Sequence, residues 1–308
     1  MTHHSLDDCT TIKAHGNLVL RLSRAVQWSD PRHFQIISLS LLLGTGILFF
    51  GFQVSPERVA LNLGVALAVQ ALFSQVFSTR FDARSPLITG LSLSVLLRTN
   101  DPLVAAAVAA AAIASKFLIR VRGRHIFNPA TFGIAGALLL TGSAWVSPGQ
   151  WGTDLLAAFL CVCLGGMVLL SAARLDIALA FLGAYGGFLL ARALWLGDPL
   201  SIPLHQMQSG ALLLFAFFMI TDPRTTPATV TGRIIFAALT ALLAVGMLFL
   251  FYIPEAIFFA LFLINPLTPL IDRLLPGALH QWPGIHQGSQ SARKNEVFHA
   301  PKIEPSRP

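Results

Sequence analysis

Two carboxylates stand out by their setting. Asp101 lies in Thr99-Asn100-Asp101-Pro102 and Asp222 in Thr221-Asp222-Pro223. Each closes a short apolar run that opens on a small-residue step, Thr89-Gly90 before the first and Ser209-Gly210 before the second. A regular helix needs roughly 20 apolar residues to cross a bilayer, and both runs fall well short of that. Short, interrupted apolar segments at corresponding places in two halves of a membrane protein point to a binding or conduction site. A carboxylate there orients the turn or meets a ligand directly. Two Asn-Pro steps accompany the carboxylates: Asn128-Pro129-Ala130 and Asn265-Pro266-Leu267. The proline of such a step fits the first turn of a helix. The free N–H groups and dipole of a helix starting there suit an anionic or carbonyl group.

A third group is basic: Lys116, Arg120, Arg122 and Arg124. It suits a phosphate or an anionic lipid headgroup, or it simply anchors the chain at a membrane face. Other chemistries find little support. His33, His125 and His205 fall at segment ends, so no bis-histidine haem arrangement forms. Cys161 and Cys163 are two residues apart and share no helix face, and Cys9 stands alone in the N-terminal arm. No disulfide framework, zinc site or iron–sulfur motif is expected, nor any other metal site. Glu255 and Asp272 bound the last apolar segment as ordinary end residues.

The elements that must position these residues are membrane-spanning. Of the 308 residues 55% are hydrophobic and 11% charged, with mean hydropathy +0.69. Soluble domains carry about 25% charged residues. The first 33 residues are polar and predict no cleaved leader. They form a cytoplasmic arm whose stretch 17–28 is amphipathic and suits a helix lying on the membrane surface. Ten apolar segments follow, at 34–54, 59–77, 87–97, 102–119, 129–145, 153–172, 175–196, 210–220, 234–252 and 255–271. Residues 274–308 read as a disordered tail.

Charge placement supports this count. With the N-terminus inside, only Arg58, Arg98 and Arg192 fall on the outer side, and all other Lys and Arg fall inside. The net charge of +7 thus reports topology rather than nucleic-acid binding. The reading is an all-α integral membrane protein of the cytoplasmic (inner) membrane, with both termini cytoplasmic. Its transmembrane domain, 34–273, is a 5+5 inverted repeat (34–145 and 153–273) in which segments 87–97 and 210–220 are broken or re-entrant helices.

The runs SPLITGLSLSVLL, GRHIFNPATFG, SGALLLFAFFMITDPRTTP with TGRIIF, and YIPEAIFFALFLINPLTPLID occur in that order over residues 85–273. In them the chain resembles the D subunit of the Rnf complex and the B subunit of the Na⁺-translocating NADH:quinone oxidoreductase. The resemblance implies a ten-helix inverted repeat similar to urea transporters. It implies electron transport with a flavin, attached in the family to a Thr of a Ser-Gly-Ala-Thr type motif on the outer side. The corresponding loop here, 141–154, lacks that motif, although Thr141 and Ser143 supply hydroxyls. The chain thus resembles a stand-alone relative with no covalent FMN. A non-covalent flavin (FMN or riboflavin) or a quinone is implied instead. By the resemblance, Thr89, Gly90, Ser209, Gly210, Thr221 and Asp222 would contact it, and Asn100, Asp101, Asn128, Pro129, Asn265 and Pro266 would shape the site. The chain would be a redox subunit working with a separate partner, not a complete enzyme. The alternative is a channel or transporter for a small solute or ion on the same fold.

Overall fold

A computed structural model describes residues 30–146 and 155–277. The amphipathic stretch 17–28, loop residues 147–154 and the tail beyond 277 lie outside the described residues. The first half runs α1 (Pro31–Phe49), α2 (Pro56–Val76), α3 (Arg84–Leu96), α4 (Pro102–Leu118) and α5 (Pro129–Leu140). The second runs α6 (Leu155–Ala172), α7 (Leu175–Leu196), α8 (Ser201–Met207), α9 (Gly210–Leu214), α10 (Val230–Leu250), α11 (Ala256–Ile264) and α12 (Thr268–Leu274). A π-helical turn, Phe215–Met219, continues α9, and a 3-10 turn, Asn265–Leu267, joins α11 to α12.

Four helices start on the same device, a proline in the first turn behind a capping side chain. Asp30 accepts from Arg32 N, Ser55 from Arg58 N, Asp101 from Leu103 N and Asn128 from Thr131 N. The proline removes an N–H that the helix start could not have used, and the cap satisfies another. The Asp-Pro and Asn-Pro steps of the first half are therefore helix starts. Asp222-Pro223 is not, since a loop follows it to Thr229.

Among the described residues, five stretches are long and apolar enough to cross a membrane: α1, α2, α7, α10 and Ala256–Leu274. A sixth arises if α8 and Gly210–Met219, bent by 49°, count as one span. Helices α4, α5 and the Phe159–Ala172 part of α6 are apolar but shorter. At 1.5 Å per residue α5 is about 18 Å long, against a hydrocarbon core of roughly 30 Å. The expected segment 129–145 is thus not one helix. It stops at Leu140, and the chain returns as β4 (Ala144–Val146), antiparallel to β1 (Leu97–Thr99). A second ladder pairs β2 (Arg120–Val121) with β3 (Arg124–His125). The fold is therefore helical with two short ladders at helix ends, where the sequence reading was purely α. Helix α8 has no counterpart among the ten expected segments.

The outer surface is apolar, with Leu48, Leu140 and Trp195 exposed at 76%, 86% and 88%. Such a surface is stable only against lipid. The short segments behave oppositely. Thr89–Leu97 and Gly210–Thr221 are buried at every residue, a run unmatched elsewhere among the described residues. Helix α3 packs on α1, α2, α4 and α5, and the α9–π segment on α6 and α7. The packing reads alike in both halves. Helix α2 lies on α4 as α7 lies on α10, α4 on α5 as α10 on α11, and α1 on α3 as α6 on α9. Pairs α1–α6 and α5–α11 join the halves.

Close approach fixes α3 against α2. A Cβ added at Gly90 would stand 2.9 Å from Leu63 Cδ2, 3.2 Å from Leu63 Cα and 3.3 Å from the Asn62 carbonyl oxygen. Two of these contacts are backbone and cannot yield by a rotamer change. Gly90→Ala should therefore lower stability by about 1–3 kcal/mol through overpacking. Gly64→Ala, on the facing helix with no atom within 4 Å of its Cβ position, should be neutral or stabilising. Thermal melts of the two variants in one detergent check this contrast.

Candidate functional site

The ion pairs gather the helix ends into two sets. At one end Arg32 and Arg84 form a four-membered network with Asp30 and Asp82, which ties the start of α1 to the start of α3. Lys116, at the end of α4, donates to Gln70 Oε1 and Ser85 Oγ, both at 2.8 Å. The β2–β3 hairpin carries this end to Arg124, which pairs with Asp272 of α12. Arg233 at the start of α10 pairs with Asp176 at the start of α7. The opposite end holds Arg58, bonded to the Asn100 and Asp101 carbonyls, and the Arg192–Asp198 pair. The two Asp-Pro carboxylates therefore lie at opposite ends. The structure does not bring Asp101 to Asp222.

The second short segment ends at the basic end inside protein, where its last carbonyls lack helical partners. Side chains supply them. Thr221 Oγ1 donates to the Phe217 carbonyl at 2.9 Å, Gln35 Nε2 to Phe218 at 3.2 Å and Asn128 Nδ2 to Met219 at 3.3 Å. The end of α3 is closed differently, by Arg98, which donates to the carbonyls of Ser94, Val95 and Leu97. Asn128 thus serves both as the cap of α5 and as a donor to the end of the π turn.

Asp222 opens the loop that follows. Its Oδ1 accepts from Arg224 N at 2.9 Å, and its Oδ2 lies 3.8 Å from His125 Nε2. Its carbonyl accepts from Thr225 and Thr226. Burial raises the Asp222 carboxyl, but the His125 and Arg224 contacts outweigh that and hold it below the ordinary carboxylate range. Arg124 clamps the loop by donating to the carbonyls of Pro223, Arg224 and Thr226. Asp272 Oδ1 accepts from Ala228 N at 2.7 Å, and Thr268 donates to the Thr225 carbonyl.

These contacts sort the expected site residues. Lys116 and Arg124, read as anion or lipid contacts, are committed to protein groups, while Arg120 and Arg122 stay exposed. Thr89 and Thr221 spend their hydroxyls on carbonyls of their own helices. Gly90 faces the α2 backbone. Ser209 makes no side-chain cap for α9, which starts at Gly210. Asn100 is exposed. Asn265, beside Pro266 in the 3-10 turn, is fully buried, and neither its Nδ2 nor its Oδ1 has a partner among the described residues.

Sequence reading missed Arg174 and Asp176. Arg174 is buried at the turn between α6 and α7, and its Nη1 has no partner among the described residues. Burial and the neighbouring Arg233 pull its guanidinium down to about 10. Asp176 Oδ1 is likewise unpaired. The only sequence signal for them was a charged pair, Arg-Leu-Asp, between two apolar runs.

Comparison with known proteins finds similarity to subunits of ion-translocating oxidoreductase complexes. The family model for NQR2, RnfD and RnfE matches residues 146–278. The D subunit of the proton-translocating ferredoxin:NAD(+) oxidoreductase complex of Clostridium ljungdahlii is 30% identical over 243 residues, which are 72% of this chain and 67% of that protein. The D subunit of an ion-translocating oxidoreductase complex of Shigella dysenteriae is 32% identical over 244 residues, 75% of this chain and 61% of its own length. Its counterpart in Klebsiella pneumoniae is 42% identical over 112 residues, 35% of this chain and 31% of that protein. The match therefore spans about two thirds or less of these relatives.

Two outcomes follow from the geometry of the basic end. Arg124→Ala leaves Asp272 half-buried without its cation and frees three loop carbonyls, so it should cost about 3–5 kcal/mol. Arg124→Lys should recover little of this, because a point charge cannot reproduce a planar fork. Thermal unfolding of both variants checks the order. The second outcome concerns acid. Burial raises the Asp82 carboxyl, yet hydrogen bonds from Arg84 and the charge of Arg32 take it to about 2. A carboxylate so depressed adds stability that is complete above its unfolded value and is lost as pH falls through the folded one. Stability should therefore decline between about pH 4 and pH 2, and Asp82→Asn should flatten that limb in melts run across the range.

Proposed function

Since the chain belongs to the NQR2, RnfD, RnfE family, we propose that it is the membrane subunit of an Rnf-type electron-transport system, passing electrons through a non-covalent flavin or a quinone held between its two halves. The observation that carries this reading is the burial of both short segments at every residue, in a core that also holds a carboxamide with no hydrogen-bond partner among the described residues. The chain crosses the cytoplasmic membrane ten times as a 5+5 inverted repeat, similar to urea transporters, with α3 and the α9–π segment as the paired short elements. Support comes from the matching helix contacts of the two halves. The basic end faces the cytoplasm under the positive-inside rule. A separate redox protein delivers or removes the electrons, and bilayer lipid surrounds the apolar face.

The residues present fit a flavin or quinone at one point better than at the others. Thr89, Gly90 and Thr221 are spent on packing and helix carbonyls, so they shape the walls. Asn265 keeps one donor and one acceptor side by side in the core. That pair matches the imide edge of a flavin, and its donor matches a quinone carbonyl. When bound, such a group accepts and returns electrons and protons. The chain's own part is to bind it, orient it through Asn265 and exclude water with its buried aromatic residues, among them the ring cluster Phe181, Phe215 and Phe258. Asp222, His125 and Arg224 keep charge at the cytoplasmic mouth.

The visible spectrum of the purified protein tests this. A flavin band that dithionite bleaches and denaturation releases, or a co-purifying quinone, is expected. A colourless, quinone-free protein that takes up a solute in liposomes, with uptake abolished by Asp222→Ala, would overturn it in favour of a transporter. Asn265→Leu separates the two roles of that carboxamide. Removing an unsatisfied buried polar group should stabilise the ligand-free protein by about 1–3 kcal/mol, while the bound flavin or quinone falls.

A further inference from the structure

Among the described residues, each carboxylate at the basic end lies against a cationic or His side chain. Asp30 and Asp82 pair with Arg32 and Arg84, Asp176 with Arg233 and Asp272 with Arg124, and Asp222 lies against His125. Among the described residues, the side chains of Arg80, Arg120 and Arg122 are exposed and make no hydrogen bond or ion pair. Uncompensated positive charge therefore faces outward.

Its setting is specific. Helices α2 and α4 pack together, and at their ends Phe73, Phe77 and Phe117 form one ring cluster, with centroid separations of 5.4 to 5.9 Å. Arg80 follows Phe77 by three residues, and Arg120 follows Phe117 by three. Val76 and Leu118 beside them are exposed at 68% and 64%. The cations thus stand where the apolar belt stops, at headgroup depth. The tip of the hairpin is Arg122-Gly123, both at positive φ, 51° and 78°. That is the signature of a two-residue type I′ turn, where Asn or Gly would sit more comfortably. An Arg at this position bears a backbone cost that Gly or Asn would not, and its side chain stands exposed at the tip.

We propose that the ends of α2 and α4 form a binding site for an anionic phospholipid. Arg80 and Arg120 hold the phosphate, Arg122 closes over it from the hairpin tip, and Phe77 and Phe117 lie under an acyl chain. Basic pockets between helices on the cytoplasmic side bind acidic headgroups in this way. Lipid is favoured over an acidic protein because exposed Val76, Phe77 and Leu118 flank the cations, and a soluble partner would have to enter the headgroup layer to reach them. The site rests on the basic end lying in that layer and is independent of any redox role.

The test compares spin-labelled phosphatidylglycerol and phosphatidylcholine bound to the full-length protein in nanodiscs. The wild type should prefer phosphatidylglycerol. The double variant Arg80→Gln/Arg120→Gln should lose about 25-fold in that preference, roughly fivefold per guanidinium, with helix content unchanged. Arg273→Gln, an exposed cation on α12 away from the rings, should leave the preference intact. Phe117→Leu should weaken retention of both lipids and keep their ratio. The proposal is overturned by a wild type without headgroup preference, by a double variant that keeps it, or by an equal loss in Arg273→Gln, which would mean a diffuse field. A double variant that keeps its lipid preference but loses association with an acidic soluble protein would assign the surface to a protein instead.

Discussion

A backbone polar group left unpaired away from water costs several kcal/mol, and the two short segments end inside protein, where water is scarce. Closing their last carbonyls is the constraint on which the rest of the structure turns. At the basic end three donors from three elements do it: Gln35 of α1, Asn128 at the start of α5 and Thr221 of the segment itself. To deliver them, α1 must lie beside the π turn and α5 must start at its end. Helix α1 is held by Asp30 and the arginine network, and α5 by the hairpin and Arg124. The charged rim and the buried segments are therefore one construction.

Much of this was legible in the chain. The two short runs and the opposed Asp-Pro steps were visible because each departs from the length a spanning helix needs, whereas Thr89-Gly90, read as an opening, lies inside α3, which starts at Arg84. The Asn-Pro start of α5 was visible because an Asn side chain can cap a helix whose first turn holds a proline. What escaped reading depends on three-dimensional partners. Lys116 and Arg124 look like free cations in a basic run, yet one is bonded to Gln70 and Ser85 and the other to loop carbonyls. Gly90 looks like a ligand-facing glycine, and the backbone of α2 fills the space beside it. Helix ends were misjudged where β1 and β4 pair, since a three-residue ladder leaves no periodicity to detect.

Unspent hydrogen-bonding groups carry more information about the site than conspicuous sequence motifs do. Hydroxyls at positions 89 and 221 catch the eye in the sequence and turn out to serve their own helices. The carboxamide at 265 is as conspicuous, and it alone of these retains both valences in the core. Arg174 Nη1 and Asp176 Oδ1, at the turn between α6 and α7, are likewise without a partner among the described residues, although Asp176 Oδ2 pairs with Arg233. A membrane core tolerates such groups only where another state or ligand satisfies them.

The two closures differ in reach. Arg98 bonds to carbonyls within four residues of itself, whereas Gln35 and Asn128 reach carbonyls 183 and 91 residues away. One side of the protein can drift in sequence one residue at a time. The other relies on side chains far away in sequence, so a change at residue 35 or 128 must be met by another donor for the same carbonyl at 218 or 219. Divergence between relatives should then be free on the outer face and correlated on the inner one.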